Sequence, residues 1–456
     1  MNGSAHRVAV PTSFVRENVS AATSGVRWFS SARAVLTASL LAAPLAFGAV
    51  QVWAWAALYI LAFLALAMWA MGCVRRGFMK ITWTSLYWPA AAFLTLGALQ
   101  YFAGFAETSY GARNALIKLL TDIILFFLAG QLFADSPPRT WRAFGLSVTA
   151  YAFLMALFAI LQFFSGHGLI YWVVAAPGSA FGPYVNHNDY AGLMEMLIPL
   201  SAAFAISQQR DEQHDALLGF AVAVAAGSLL LSASRGGFVS LLAEIVIFAA
   251  ILWKRSPQHK PRNTLLIGTL GVMAVASLFF WMAPQSVSSR LGTVANVVHA
   301  PEATYGDRMH VAYDALRIFA AHPVLGTGLG SFGSVFPAYQ TFPTDQTYPY
   351  AHNDYAQALA ETGAAGAVII LWALALFFRS AFKGLLDRLE SEAGWMQLGA
   401  AIGVCGLLVH SFVDFNLHIP ANAAWFAVCA GLATVCTARL RPQGAARGPA
   451  KNEGYQ

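Results

Sequence analysis

The strongest constraint on this chain is a series of apolar stretches, each about 20 residues long, separated by short polar breaks. A stretch of that length crosses the hydrocarbon core of a bilayer as one helix. Hydrophobic residues make up 58% of the 456 residues and charged residues only 11%, whereas a soluble domain carries about 25% charged residues. The sequence therefore predicts an all-α polytopic membrane protein and argues against a soluble catalytic domain.

Twelve membrane-spanning helices are predicted in a membrane domain that covers residues 32–438. A polar N-terminal tail, residues 1–31, lacks the apolar core and the cleavage site of a signal peptide. A second tail covers residues 439–456. The predicted spans are residues 32–50, 52–74, 82–102, 117–134, 146–164, 190–207, 217–233, 237–253, 264–283, 364–378, 396–413 and 420–438.

The distribution of basic residues orients these spans. With the N-terminus in the cytoplasm, 21 of the 27 Lys and Arg residues fall on the cytoplasmic side and six on the opposite side. This asymmetry satisfies the positive-inside rule, so both termini are predicted to be cytoplasmic. The net charge of +6 then reflects topology, and no nucleic-acid partner is expected.

Two connections on the outer side are long, residues 165–189 and 284–350. Loops longer than about 15 residues are usually functional or disordered. The second loop contains a predicted helix over residues 307–321, which we expect to lie on the membrane surface or to cap a cavity. Its apolar residues recur at helical spacing and are Met309, Ala312, Tyr313, Leu316, Phe319 and Ala320.

Each long loop ends in the same five residues, His-Asn-Asp-Tyr-Ala, at 187–191 and at 352–356. Helix capping explains the Asn-Asp pair, because these side chains accept hydrogen bonds from free amides at a helix start. Capping does not explain the two histidines. A neutral imidazole accepts a proton near pH 7, so these histidines are candidates for a general base.

Two arginines on the outer side are candidates for phosphate binding. Arg235 precedes two glycines, which open space for a phosphate beside the guanidinium, although a snorkelling arginine is the alternative. Arg308 opens the loop helix, and Arg317 projects from the opposite face, so only one of them can face a given site. The glycine-rich segment 326–330 is a weak candidate for a phosphate cradle and more typical of a tight turn.

The segment 410–420 places three ionisable side chains at the membrane edge, where they line a site or form structural hydrogen bonds: His410, Asp414 and His418. The four cysteines form no CxxC pair and are interpreted as free membrane-buried thiols. Paired histidine spacing is also lacking, so no metal and no other cofactor is predicted.

Five sequence blocks in order resemble the O-antigen ligase family, whose members are membrane glycosyltransferases with a C-type fold. The blocks are residues 185–192, 234–237, 308–332, 352–363 and 414–418. The resemblance implies transfer of a glycan from undecaprenyl diphosphate to an acceptor hydroxyl on the periplasmic face of a bacterial inner membrane. It further implies that Arg235 and Arg308 bind the diphosphate and that His352 is catalytic.

The other polar residues of these blocks are expected to shape the substrate site: His187, Asn188, Asp189, Asn353, Asp354, Asp414 and His418. The predicted partners are the lipid bilayer, the undecaprenyl-diphosphate-linked glycan and lipid A–core as acceptor. A polymerase that extends another lipid-linked glycan, or an enzyme that glycosylates protein, is the alternative within the same class. A transporter is the alternative from another class, but it would place ionisable groups near the bilayer midplane.

Overall fold

The computed structural model describes residues 12–104, 108–176, 180–208, 212–255, 301–344 and 346–435, and these residues are mostly helical. A two-stranded antiparallel hairpin, β1 (Leu169–Ile170) and β2 (Val174–Ala175), lies in the first long loop. The helices are α1 (Thr12–Leu45), α2 (Val52–Arg76), α3 (Tyr87–Phe102), α4 (Ser109–Phe133), α5 (Pro138–Ser165), α6 (His187–Ser207), α7 (Glu212–Ser232), α8 (Arg235–Arg255), α9 (Pro301–Ala321), α10 (Phe332–Val335), α11 (Asp354–Phe382), α12 (Leu385–Arg388), α13 (Glu392–His410) and α14 (Pro420–Thr434).

Eight of the described helices are long and apolar enough to span a membrane, and each coincides with one predicted span. They are α2, α4, α5, α6, α7, α8, α11 and α13. Predicted spans 32–50, 82–102 and 420–438 correspond to α1, α3 and α14, which are not among the eight. Predicted span 264–283 lies outside the described residues, as does the loop segment 284–300. The chain is therefore a polytopic helical protein, while the count of twelve stays a prediction.

Helix α1 begins at Thr12, well before the predicted start of the first span at residue 32. Between Pro11 and Pro44 the sequence contains no proline, so nothing in residues 12–31 interrupts a helix. The polarity of this segment, which predicted a tail, limits its burial in a membrane but does not prevent helix formation. The helix ends at Leu45 and is followed by a 3-10 turn, Phe47–Ala49.

The centre of the bundle is the pair α6 and α13. In their most apolar 18-residue stretches, 78% of α6 and 83% of α13 is buried, against 17% for α11. Glycines on α13 allow this close packing, because a Cβ on Gly399 would lie 2.6 Å from the carbonyl oxygen of Pro199 and one on Gly403 2.9 Å from the Cα of Met196. Small residues at such crossings are typical of membrane helices. Cys73, Cys405 and Cys429 are buried free thiols, and Cys436 lies outside the described residues.

Helix α9 of the second long loop begins at Pro301, earlier than predicted, and ends at Ala321 as predicted. Its apolar residues at Met309 and Tyr313 are 68% and 62% exposed. The opposite face packs instead on the loop that follows, with Val311, Ala315 and Ile318 fully buried. The apolar periodicity therefore identified the face that the protein leaves uncovered, whereas the helix packs on the protein through the opposite face.

A kink at Gly363 divides α11. This residue has φ 61° and ψ −161°, a conformation that is essentially restricted to glycine. The chain before α10 crosses at this point, and the amides of Ala364 and Ala365 donate to the carbonyl oxygens of Pro323 and Val324 at 2.8 and 3.0 Å. A Cβ on Gly363 would lie 2.5 Å from the carbonyl carbon of Val324. The kink thus fastens the outer loop to the membrane domain.

We expect Gly363→Ala to destabilise the protein by about 3 kcal/mol, because it combines backbone strain with a clash against backbone atoms. The measurement is the melting temperature in detergent. Gly384→Ala is the matched control, since Gly384 also has a positive φ of 62° but has open space where its Cβ would lie. Gly219→Ala, at an exposed and uncrowded helix position, controls for glycine replacement itself. Equal melting temperatures for Gly363→Ala and Gly384→Ala would contradict this account of the kink.

Candidate functional site

The described residues predicted for the site lie at one end of the bundle, where three helices begin and one ends. Helix α6 begins at His187, α8 at Arg235 and α11 at Asp354, while α13 ends at His410. The connection from α13 to α14, residues 411–419, crosses the same end and contacts each of these helix ends. This connection, here called the crossing loop, contains a 3-10 turn at Asn416–His418.

Each copy of His-Asn-Asp-Tyr-Ala lies at a helix start, but only the second copy supplies its own cap, as predicted. The Asn186 side chain, one residue before the first copy, accepts from the amide of Asn188 at 3.0 Å. In the second copy, Asn353 accepts from the amide of Ala356 at 2.9 Å. His187 is therefore the first residue of α6, whereas His352 precedes α11. The two copies are not structurally equivalent, although they share a sequence.

His352 is held in a conformation that is unusual for a residue with a side chain. Its φ is 50°, and such residues are enriched at functional sites. The ring lies edge-on to Phe415 at a centroid distance of 4.8 Å, and the side chain is 18% exposed. Its Nδ1 lies 3.8 Å from Oδ1 of Asp414, longer than a hydrogen bond, and Nδ1 is buried without a hydrogen-bond partner.

Asp414 links His352 to Arg308. Its side chain is 1% exposed, and its Oδ2 lies 3.7 Å from Nη1 of Arg308. Burial raises the pKa of Asp414, but the facing imidazole of His352 and the charge of Arg308 outweigh burial and lower it to about 2. The carboxylate is therefore charged at neutral pH, and it holds two candidate functional groups around one anion.

The start of α8 packs directly on the crossing loop. A Cβ on Gly236 would lie 2.3 Å from Cδ2 of His410 and 2.9 Å from Cγ2 of Val413, the neighbour of Asp414. The amide of Gly237 donates to the hydroxyl of Ser234 at 3.1 Å, which caps the helix. Because the two glycines after Arg235 have no side chains, other parts of the protein pack directly against them. This close packing brings the backbone of Arg235 beside the segment that carries Asp414.

Both carboxylate oxygens of Asp354 bind the crossing loop. Its Oδ1 lies 2.8 Å from Nδ1 of His418, and its Oδ2 accepts from the Ser411 hydroxyl at 2.8 Å and from the Leu417 amide at 3.3 Å. Asn353 donates to the carbonyl oxygen of Phe412 at 2.9 Å. These contacts fasten the crossing loop to the start of α11. Asp354, Asn353 and His418 therefore form part of the frame of the site.

Asn188 and Asp189 are both 5% exposed. The carbonyl oxygen of Asp189 accepts from Nδ2 of Asn422 at 2.8 Å, while its side-chain Oδ1 is buried without a hydrogen-bond partner. Asp189 interacts electrostatically with Asp414, His410 and Arg308. A buried carboxylate oxygen of this kind is a candidate acceptor for a substrate hydroxyl.

Asn416, Asn422, Tyr184 and Glu195 belong to this end of the bundle and were not singled out individually from the sequence as site residues. Asn422 accepts from the hydroxyl of Tyr184 and donates to Oδ1 of Asn416, each at 2.8 Å. Glu195 lies 2.7 Å from His410. The sequence signal for Glu195 was available, because a carboxylate inside an apolar helix is a functional candidate by default. Asparagines near helix starts carry no comparable signal.

The glycine-rich segment is a turn rather than a phosphate cradle. Every amide from Thr327 to Phe332 donates to a protein acceptor. Glu361 alone accepts from the amides of Gly330 and Phe332 at 2.8 and 3.1 Å, and Gln100 accepts from that of Leu329 at 3.1 Å. No amide of this segment is left for a phosphate. The favoured interpretation, a tight turn, is confirmed.

Arg317 lies on the other side of α9 and is used within the protein. It donates to the carbonyl oxygen of Tyr339 at 3.0 Å and lies 3.4 Å from Oδ1 of Asp314. Lys118 on α4, another outer-side cation, donates to the carbonyl oxygen of Leu417 at 2.8 Å and so supports the crossing loop. Among the described residues, no group of three or more His, Cys, Asp or Glu side chains is arranged to hold a metal ion.

We expect Glu361→Ala to loosen the glycine-rich turn, because it leaves two amides without their acceptor at about 1–3 kcal/mol each. Hydrogen–deuterium exchange should accelerate in a peptide that covers residues 327–332. Glu390→Ala, at an exposed glutamate, is the control and should leave that peptide unchanged. Unaltered exchange in Glu361→Ala would mean that these amides do not depend on Glu361.

Comparison with known proteins bears on this end of the bundle. A comparison with curated proteins gave no match. Residues 220–371 match the family model described as O-antigen ligase, and this segment contains Arg235, Arg308 and His352. The match confirms the predicted resemblance to the O-antigen ligase family over this segment of the chain.

Proposed function

We propose that this protein transfers a glycan from undecaprenyl diphosphate to a hydroxyl of lipid A–core, at the periplasmic face of a bacterial inner membrane. The observation that carries the proposal is the position of Asp414, a buried carboxylate that faces both His352 and Arg308. The O-antigen ligase match over the segment with Arg235, Arg308 and His352 supports the same chemistry.

The proposed reaction is a direct displacement at the anomeric carbon. The acceptor hydroxyl oxygen forms a bond to that carbon, the bond from carbon to the diphosphate oxygen breaks, and the anomeric centre inverts. His352 receives the hydroxyl proton. Since its Nδ1 faces Asp414, its Nε2 is the atom that accepts this proton, and the nearby carboxylate stabilises the imidazolium that forms.

The arginines are proposed to hold the leaving group. Undecaprenyl diphosphate departs with negative charge, and guanidinium groups bind phosphate oxygens through paired hydrogen bonds. Arg308 has five N–H donors, so a single contact of 3.7 Å to Asp414 leaves donors for a phosphate. Arg235 supplies the second cation. The charge stabilisation that metal ions provide in many phosphate-handling enzymes is assigned here to these side chains, so that transfer is proposed to be independent of metal.

The remaining predicted residues are proposed to shape the sugar and acceptor side. Asp189 is suited to accept from a substrate hydroxyl because its buried Oδ1 has no hydrogen-bond partner. Asn188 and His187 lie beside it at the start of α6. Asp354, Asn353 and His418 act through the crossing loop, because their contacts hold the segment that carries Asp414.

Other acceptors define the competing functions. A second lipid-linked glycan as acceptor would make the protein an O-antigen or exopolysaccharide polymerase, and a Ser or Thr hydroxyl would make it a protein O-oligosaccharyltransferase. We rank lipid A–core first because of the family description. A transporter would move the lipid-linked glycan without forming a new glycosidic bond.

The test is glycan transfer by the purified protein in lipid vesicles, with undecaprenyl-diphosphate-linked glycan as donor and EDTA present. Lipid A–core, a second lipid-linked glycan and a Ser/Thr-containing protein are offered in parallel. We expect product on lipid A–core, and a loss of about 100-fold or more in the rate for Arg308→Ala, Arg235→Ala and His352→Ala.

The controls match each substitution in residue type. Arg113→Ala removes an exposed arginine that packs on Tyr110, and His310→Ala removes a histidine stacked on Phe342. Both variants should keep wild-type transfer rates. Longer lipid-linked chains or glycosylated protein would replace the ligase assignment with one of its alternatives. Full activity in Arg235→Ala and His352→Ala would refute the proposed site.

A further inference from the structure

Glu195 and His410 form a buried polar pair inside the bundle. Oε1 of Glu195 lies 2.7 Å from Nδ1 of His410, and the two side chains are 0% and 1% exposed. The pair joins α6 to α13, the two most buried spans, just below the site. At this distance the two atoms share a hydrogen bond, in which either Nδ1 of His410 or Oε1 of Glu195 carries the proton.

Stability alone is a poor explanation for this pair. Oε2 of Glu195 and Nε2 of His410 are both buried without a hydrogen-bond partner, so each residue leaves one polar atom unsatisfied. Burying such a pair costs desolvation free energy, and well-packed apolar residues are often as stable or more stable in its place. Because burial of this pair is unfavourable, we expect His410 to serve the neighbouring site.

The free edge of His410 meets the start of α8. A Cβ at Gly236 would lie 2.3 Å from Cδ2 and 2.4 Å from Nε2 of His410, distances that no real Cβ tolerates. On the other side of the same turn, a Cβ at Gly237 would lie 2.7 Å from Cβ of Ala191 on α6. The turn after Arg235 is therefore seated between α6 and the imidazole, and the hydrogen bond to Glu195 fixes where the imidazole stands.

We propose that His410, held by Glu195, is a positioning residue that sets the backbone at Gly236 and so aims Arg235 at the diphosphate. The inference rests on the proposed function of Arg235 and extends it to two residues that touch neither substrate nor the reacting atoms. The geometry behind the proposal has three links. Glu195 contacts His410, His410 lies against Gly236, and Gly236 is the residue after Arg235.

The first test is binding of undecaprenyl diphosphate, without glycan, to the protein in lipid nanodiscs. Arg235→Ala sets the reference loss of affinity. Glu195→Leu and His410→Ala should each weaken binding about tenfold, and neither should add to the loss in an Arg235→Ala background, since all three act through one group. Glu195→Gln keeps an oxygen that can accept from the imidazole and should restore most of the affinity.

The second test asks whether a smaller side chain at position 410 relieves the clash that Gly236→Ala introduces. Such relief distinguishes a positioning role of His410 from a general structural role. Gly236→Ala should weaken diphosphate binding about tenfold or more because the new methyl group collides with His410. His410→Asn retains a donor for Glu195 but vacates the space beside Gly236. The double variant Gly236→Ala with His410→Asn should therefore bind better than Gly236→Ala alone, a result that two independent structural defects would not produce.

Melting temperatures ensure that the compared variants are folded, and Glu244→Gln controls for loss of a buried carboxylate further along α8. Wild-type affinity in Glu195→Leu and His410→Ala, with reduced affinity in Arg235→Ala, would overturn the positioning role alone. The same holds if the double variant binds no better than Gly236→Ala. Wild-type affinity in Arg235→Ala would instead refute the diphosphate site itself.

Discussion

The end of the bundle that carries the candidate site depends on the charge of one buried carboxylate. Asp414 is almost inaccessible to water, and an ionised carboxylate in such a place needs cationic or hydrogen-bonding partners. Arg308 from the outer helix and His352 from the end of the long loop approach it from two sides. The outer segment is thereby tied electrostatically to the membrane domain, and two groups of complementary chemistry are held around a single point.

Other contacts at this end of the bundle fix the frame of the site. Asp354 binds the crossing loop through Ser411, Leu417 and His418, and the glycine-rich turn is closed by Glu361. Most of the polar side chains at this end therefore bind other protein groups. Asp189 differs from them, because its buried Oδ1 has no hydrogen-bond partner and is proposed to accept from a substrate hydroxyl. Asp414 instead faces Arg308 and His352, the two groups proposed to act on the substrate.

Much of this arrangement could be predicted because membrane helices obey simple rules. Length and apolarity located eight spans that the structure contains, and the Asn353 cap marked where α11 begins. The cap of α6 is Asn186, one residue before the motif that predicted it. The kink at Gly363 and the packed face of α9 could not be predicted, because both depend on the path of a distant segment of chain. The same holds for the pairing of Glu195 with His410, which requires knowing that α6 and α13 are neighbours. The periodicity of a helix describes that helix alone, whereas these features depend on which segments of the chain pack against each other.

The most direct test of the central claim is an experimental structure of the protein with undecaprenyl diphosphate bound in a lipid nanodisc. The account predicts that the diphosphate lies at the outer end of the bundle, in contact with Arg235 and Arg308, with His352 facing the side from which an acceptor enters. A diphosphate bound elsewhere, or contacted by neither arginine, would contradict the convergence of these groups on one site.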